Sequence, residues 1–213
     1  MQIAIIGTGN VGAGIAHGLA GKGFGLTLGA RDPTVAAVLA LASATGASVA
    51  LPKEAAARGD TILLALPWSA IEAALHDLGD LTGKIVVDCT NPIARGPQGM
   101  GLAVGHSTSG GEMVQGWCPG ARVVKTLNQV GAEIMADTGR LSHPPVMFMA
   151  GNDSAAKDSV ARMLTALGFE ALDAGDLAKA RLLEPFGMVW INQSILRGMG
   201  RDWAFAALPA TPR

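Results

Sequence analysis

Residues 1–12 constrain the chain more than any other stretch. They read M-Q-I-A-I-I-G-T-G-N-V-G. An apolar run at 3–6 leads directly into Gly7-x-Gly9-x-x-Gly12, and an apolar helical pattern follows through Val11, Ile15, Ala16 and Leu19. That order is a strand, a tight turn and a helix start. Gly7 permits the turn, Gly9 lets backbone approach a bulky anion, and Gly12 lets helix and strand pack closely. The unpaired N–H groups of the helix start attract negative charge. A glycine turn alone also fits an ordinary strand–helix connection. The patterns on both sides favour a dinucleotide site, with Gly7, Thr8, Gly9, Asn10, Val11 and Gly12 around the pyrophosphate.

Composition limits the rest. The chain has 213 residues, 49% hydrophobic and 15% charged, with a formal net charge of −1. No basic stripe runs through it, which argues against nucleic acid as a partner. The mean hydropathy is +0.35, yet no apolar run reaches the roughly 20 residues of a membrane-spanning helix. The excess is Ala, Val, Leu and Gly, as in parallel strands buried on both faces. No basic start followed by a long apolar stretch suggests a signal peptide, so the mature chain is expected to begin at the first strand. Cys89 and Cys118 have no metal-ligand spacing. Two reduced thiols in a cytoplasmic protein is the simplest expectation.

Strand-like and helix-like runs alternate along the chain. Strands are expected at 3–6, 25–28, 47–50, 61–66, 84–88, 122–126, 146–150 and 169–172. Helices are expected at 10–22, 33–45, 68–78 and 153–167, and a long apolar one at 177–198 is kinked near Pro185. The alternation predicts an α/β fold of Rossmann type, with a doubly wound, mainly parallel sheet. Residues 1–213 read as one nucleotide-binding domain, and a short helical extension begins at about 175. Right-handed crossovers would bring every strand's C-terminal end to one edge. Residues 91–106, rich in Gly and Pro, form the longest irregular stretch, either a functional loop or a surface excursion.

A ribose-reading residue is expected about 20 residues past the glycine turn. There the chain has Gly29-Ala30-Arg31-Asp32. Arg31 can pair with a phosphate and stack on adenine, which favours NADP over NAD; a solvated surface charge is the alternative. Asp32, before Pro33, is expected to cap the next helix. Three further strand ends should share the edge with the glycine turn: Ala65-Leu66-Pro67-Trp68, Asp88-Cys89-Thr90-Asn91-Pro92 and Lys125-Thr126-Leu127-Asn128. Trp68 would wall the pocket or pack in the core. Asn91 and Asn128 would bond the cofactor or stabilise loops. Lys125 would orient a carbonyl or anionic substrate, or snorkel to solvent. Ser109-x-x-Glu112 reads as a capping box.

The chain contains no tyrosine, which removes a Tyr–Lys proton-donor pair. HExxH, CxxC and G-x-S-x-G are missing too, so neither a bound metal nor a serine hydrolase is expected. Hydride transfer governed by positioning fits what remains.

Several motifs occur in order: I-G-T-G-N-V-G at 6–12, G-A-R-D at 29–32, A-L-P-W at 65–68, D-A-G at 173–175, A-R-L-L-E-P at 180–185 and G-M-G at 198–200. Together they resemble the NADP oxidoreductase, coenzyme F-420-dependent family over nearly the full chain. The resemblance implies a Rossmann-type domain, often dimeric, that passes hydride between NADPH and a deazaflavin. It places Thr8, Gly9, Asn10 and Val11 at the pyrophosphate, and Ala30 with Arg31 at the 2′-phosphate. Leu66 lies beside Pro67, and Pro67, Asn91 and Ala132 would line the nicotinamide side. Ala30 departs from the Ser usual in the archaeal type, and the segments at 90–92 and 125–128 are more similar to the bacterial branch. The implied acceptor is therefore coenzyme F-420, a flavin, a quinone, or a small imine or carbonyl. The last of these would use Lys125 and Asn128 as catalytic, polarising groups. A non-catalytic NADPH-sensing module is the reading from another class.

Overall fold

The computed structural model describes residues 1–97, 99–208 and 210. Residues 98, 209 and 211–213, inside the expected loop and C-terminal extension, lie outside the described residues. The eight-stranded sheet has the order β10-β9-β8-β5-β4-β1-β2-β3. Its first half comprises β1 (Gln2–Ile6), β2 (Gly25–Gly29), β3 (Ser48–Ala50) and β4 (Thr61–Leu64), with α1 (Asn10–Leu19), α2 (Ala36–Thr45) and α3 (Pro52–Arg58) between them. α4 (Ile71–Leu78) then leads to β5 (Ile85–Asp88), and α5 (Gly110–Trp117) to β8 (Arg122–Lys125). The strand order reverses at β1, which pairs in parallel with β2 on one side and β4 on the other. That switch point opens a crevice beyond the strands' C-terminal ends, where open α/β sheets bind ligands.

β1 shows why the sheet is wound on both faces. Ile3 and Ile5 enter one apolar layer with Ile15, Leu19 and Leu164. Ala4 and Ile6 enter the other with Ala55, Ile71 and Leu75. Successive side chains of a strand point to opposite faces, so a continuously apolar strand needs cover on both. Helices α1 and α2 with α7 (Ser154–Leu167) cover the first face, and α3, α4 and α5 the second.

The parallel rule breaks at one edge. β9 (Val146–Gly151) runs antiparallel to β8, and β10 (Glu170–Asp173) follows β9 in parallel. The chain returns from β8 through only α6 (Ala132–Ala136) and a short 3-10 turn at Thr138–Arg140, so it makes no full crossover. The expectation that all strand ends share one edge therefore holds for β1, β4, β5 and β8 and fails for β9 and β10. α6 is too short to leave a periodic signal. It packs on α1 because Gly14 and Gly18 lack side chains where the Ala132 and Met135 carbonyls approach.

Three other boundaries differ from expectation. α3 is not among the expected helices, although Pro52 at its first turn, Glu54 after it and Arg58 at its end are helix-terminus signals. The stretch at 91–106 contains a hairpin, β6 (Ile93–Gly96) with β7 (Gly99–Leu102). The long C-terminal helix runs through Pro185 as α8 (Ala180–Ile191), and its irregularity is a π-helical turn at Asn192–Leu196. Beyond it the chain folds back. Phe205 accepts from Val146 N at 2.9 Å, and its ring lies 4.3 Å from that of Phe186.

Candidate functional site

The glycine turn closes as its spacing requires. Gly7 sits at φ +104, and its N–H donates to Gly29 O at 3.2 Å, tying the ends of β1 and β2 together. A Cβ on Gly12 would strike the Gly7 carbonyl, so helix and turn meet without side chains between them. Gly9 caps α1 in an extended conformation, with no side-chain hydrogen bond and no acidic residue in the first turn. The amides of that turn are therefore open to an anion.

Three contiguous cavities follow the sheet edge. The main one, about 550 Å³, runs from Gly7, Thr8 and Gly9 past Arg31 and Pro52 to α4. Thr8, Ala30 and Arg31 also line a second cavity with Asp32, Val35 and Val38. The third holds Asn10, Val11 and Cys89 and shares Gly9, Leu66 and Pro67 with the first. Asp32 does not cap α2, whose N-cap is Val35. Its Oδ1 accepts from Thr34 Oγ at 2.6 Å and Thr34 N at 2.9 Å, closing an Asx turn. The Thr34 bonds hold its carboxyl below the usual carboxylate range. With Asp32 so engaged, Arg31 is left exposed at the cavity mouth.

The catalytic expectation for Lys125 meets a different geometry. Lys125 is fully buried, and neither reaches the cleft nor snorkels. Its Nζ lies 2.8 Å from Asp88 Oδ2, 2.9 Å from Glu184 Oε1 and 2.6 Å from Thr90 O. An ammonium has three donors, so none remains for a substrate. Burial disfavours the charged form, but Asp88 and Glu184 outweigh it and hold the lysine above its ordinary range. Glu184 also accepts from Gly110 N and Gly111 N, each at 3.0 Å, and these amides belong to the N-terminus of α5. They offset the extra negative charge of the triad. Asp88 Oδ1 accepts from Thr90 N and Oγ at 2.9 and 2.7 Å. One buried lysine thus joins the ends of β5 and β8 to α5 and α8.

Asn128 is likewise occupied. Its Nδ2 donates to Asn91 Oδ1 at 2.9 Å and Leu183 O at 3.0 Å, and its Oδ1 accepts from Gln129 Nε2 at 2.9 Å. Both amide hydrogens are used, so it cannot polarise a substrate in this arrangement. Asn91, half-buried, donates once to Asn128 O at 2.8 Å. Leu127 between Thr126 and Asn128 has φ +56, a strained conformation for a bulky side chain. It turns the chain so that Asn128 meets Asn91 and α8. Gly187 permits that approach, since a Cβ there would lie 2.6 Å from Asn128 O.

Other residues fall where only packing could put them. Ala132 is buried at the start of α6 against Gly14, outside the three cavities. Trp68 packs against Trp117, with ring centroids 5.4 Å apart and the rings tilted by 38°, and covers Gly110. The capping box forms: Ser109 Oγ accepts from Glu112 N at 3.2 Å and donates to Glu112 Oε2 at 2.7 Å. Asp88 and Glu184 were not singled out in the sequence. Asp88 carried a signal, an acid ending the apolar run I-V-V-D beside a strand ending in lysine. Glu184, 59 positions beyond Lys125, stands in the A-R-L-L-E-P motif, but nothing in that motif points to Lys125.

A model of the family described as NADP oxidoreductase, coenzyme F420-dependent, matches residues 2–92. The F420-dependent NADP reductase of Methanothermobacter marburgensis is 29% identical over 210 residues, 92% of this chain and 93% of that protein. A crystal structure from Arthrobacter sp. FB24, provisionally named an F420-dependent NADP-reductase, superposes with a TM-score of 0.88 at 34% identity. It covers 98% of this chain and 100% of that one. The chain belongs to this family. It is an NADP-dependent oxidoreductase by membership, with the Rossmann-type architecture described above. Metalloreductase STEAP3 of Rattus norvegicus is 31% identical over 184 residues, 86% of this chain; the chain spans 36% of that protein's length. The relatives named NADP reductases act with NADP, and the cleft's features fit such a group: a glycine-rich turn, open helix amides and an exposed guanidinium at the cavity mouth.

Proposed function

We propose that this chain binds NADP(H) along the three cavities and exchanges hydride with a planar redox acceptor, a deazaflavin or flavin. When bound, NADP(H) supplies or takes up the hydride at its nicotinamide. The observation that carries the reading is Arg31, exposed at the mouth of a cavity that continues without interruption to the glycine turn. The amides of Thr8–Val11 hold the pyrophosphate, and Gly12 keeps α1 close behind it. Leu66 and Pro67, shared by the first and third cavities, border the nicotinamide end; Asn91, expected there, lines none of the three cavities and bonds Asn128 instead. Among the described residues lining the first and third cavities near Pro67, none is a free acid or base, which suits transfer between two rings governed by distance and orientation. A carbonyl or imine substrate polarised by Lys125 and Asn128 loses support, because both side chains are saturated within the protein.

The whole chain, 1–213, is taken as one NADP-binding unit in the cytoplasm. The exposed apolar side chains Leu182, Val189 and Leu196 on and beyond α8 favour a homodimer. Among the described residues no helix is long and apolar enough to cross a membrane. The test is stopped-flow oxidation of bound NADPH against coenzyme F-420, FMN, FAD, a quinone and a cyclic imine. Rapid oxidation by F-420 or a flavin is expected. Oxidation by the imine alone would overturn the planar-acceptor reading, and oxidation by none would leave the NADPH-sensing module.

A further inference from the structure

We propose that Asp77 reads the adenine of the bound dinucleotide, accepting a hydrogen bond from its 6-amino group; this rests on the NADP reading above. Among the described residues lining the main cavity, only Arg31 and Asp77 carry charge. The guanidinium has a ligand group to match in the 2′-phosphate. A carboxylate in a cleft for a polyanion needs another explanation, since it repels every phosphate within reach.

Helix geometry supplies one. Ala70, Ala73, Ala74 and Asp77 stand at i, i+3, i+4 and i+7, so they form one stripe along α4 and the turn before it. All four line the main cavity, as does Pro52 of α3. Three methyl groups in a row make a flat apolar wall, and a purine is a flat apolar slab with polar groups only at its edge. The glycine turn fixes the pyrophosphate and Arg31 the ribose phosphate. The base is then left the apolar stretch beside α4, which ends at Asp77. An acceptor there matches an exocyclic amine.

Asp77 has no evident structural duty. It is exposed, and among the described residues it joins none of the ion pairs. It also occupies the last turn of α4, where the helix dipole disfavours a negative charge. Helix stability alone would favour a cation or neutral residue at this position.

The experiment measures binding by calorimetry of 2′,5′-ADP and of its purine analogue lacking the 6-amino group. The proteins are the wild type, Asp77→Ala and Asp77→Asn, with thermal melting of each as a control for folding. The wild type is expected to prefer the adenine compound by about tenfold, the worth of one charge-assisted hydrogen bond at a partly wet site. Asp77→Ala should bind both compounds equally, and Asp77→Asn, which keeps an acceptor oxygen, should retain part of the preference. Equal binding by the wild type, or a full preference persisting in Asp77→Ala, would overturn the role of Asp77. Failure of the wild type to bind 2′,5′-ADP at all would instead overturn the NADP reading on which it rests.

Discussion

Two cations of this chain show how little residue type says about role. Arg31 and Lys125 both close strand-like runs near the sheet edge, yet one stands in solvent at the cavity mouth and the other is fully buried. Arg31→Glu replaces a phosphate partner with a repelling charge. NADPH affinity should fall at least about tenfold, with NADH affinity little changed, as fluorescence titration would show. Unchanged NADPH affinity would remove Arg31 from the site. Lys125→Met leaves Asp88 and Glu184 buried without their counter-ion. The variant should lose about 3–5 kcal/mol of stability in urea unfolding. A stable variant with intact cofactor binding and abolished turnover would restore a catalytic role to this lysine.

Elements act through their ends more than their middles. In the proposed function the amides of α1 meet the cofactor, and they are open to it because Gly12 lets the helix begin against the turn. Gly12→Ala should push helix and turn apart, weakening NADPH binding by about tenfold or more while leaving the far strands β9 and β10 intact. Hydrogen exchange should show lost protection confined to β1 and α1. Unaltered NADPH binding in that variant would mean the amides are not the pyrophosphate site. The N-terminus of α5 has a different partner. Its amides are taken by Glu184 of α8, so this helix end is a structural joint rather than an open anion site. Both helix starts are glycine-rich, but α5 opens with the Ser109-x-x-Glu112 capping box and α1 has no side-chain cap.

At the scale of the molecule, Glu112 and Lys125 tie α5, α8 and the sheet together, and both give stability a pH dependence. Arg181, bonded to Glu112 at 2.8 Å, chiefly holds that carboxyl below its ordinary value of 4.5. A depressed folded value means the contribution is present above about pH 4.5 and is lost as pH falls through the folded value. Lys125 is raised above 10.5, so its contribution is present below that pH and lost as pH rises further. Cys118, pushed up to about 11 from 9.0 by burial, acts in the same direction. Urea midpoints should therefore form a plateau between these limbs, and Glu112→Gln should make the acid limb shallower. An acid limb identical in that variant would exclude the Glu112–Arg181 pair as its source.

The alternation of apolar strands with helical runs, the glycine turn and the arginine after the second strand were all legible along the chain. Each is a local matter: backbone freedom at Gly7, burial of Ile3–Ile6 on both faces, and a long cationic side chain about 20 residues on. The antiparallel β9 was not legible, because strand direction depends on how the chain returns and not on the strand's own residues. The fate of Lys125 and Asn128 was hidden for a related reason. Glu184 and Leu183 reach them from α8 across more than 50 positions, and no local pattern records that approach. Hydrophobic periodicity and turn chemistry therefore set where the cleft lies. Which polar groups remained free to meet it depended on long-range packing, since a buried charge or amide takes whatever partners the folded chain brings within reach.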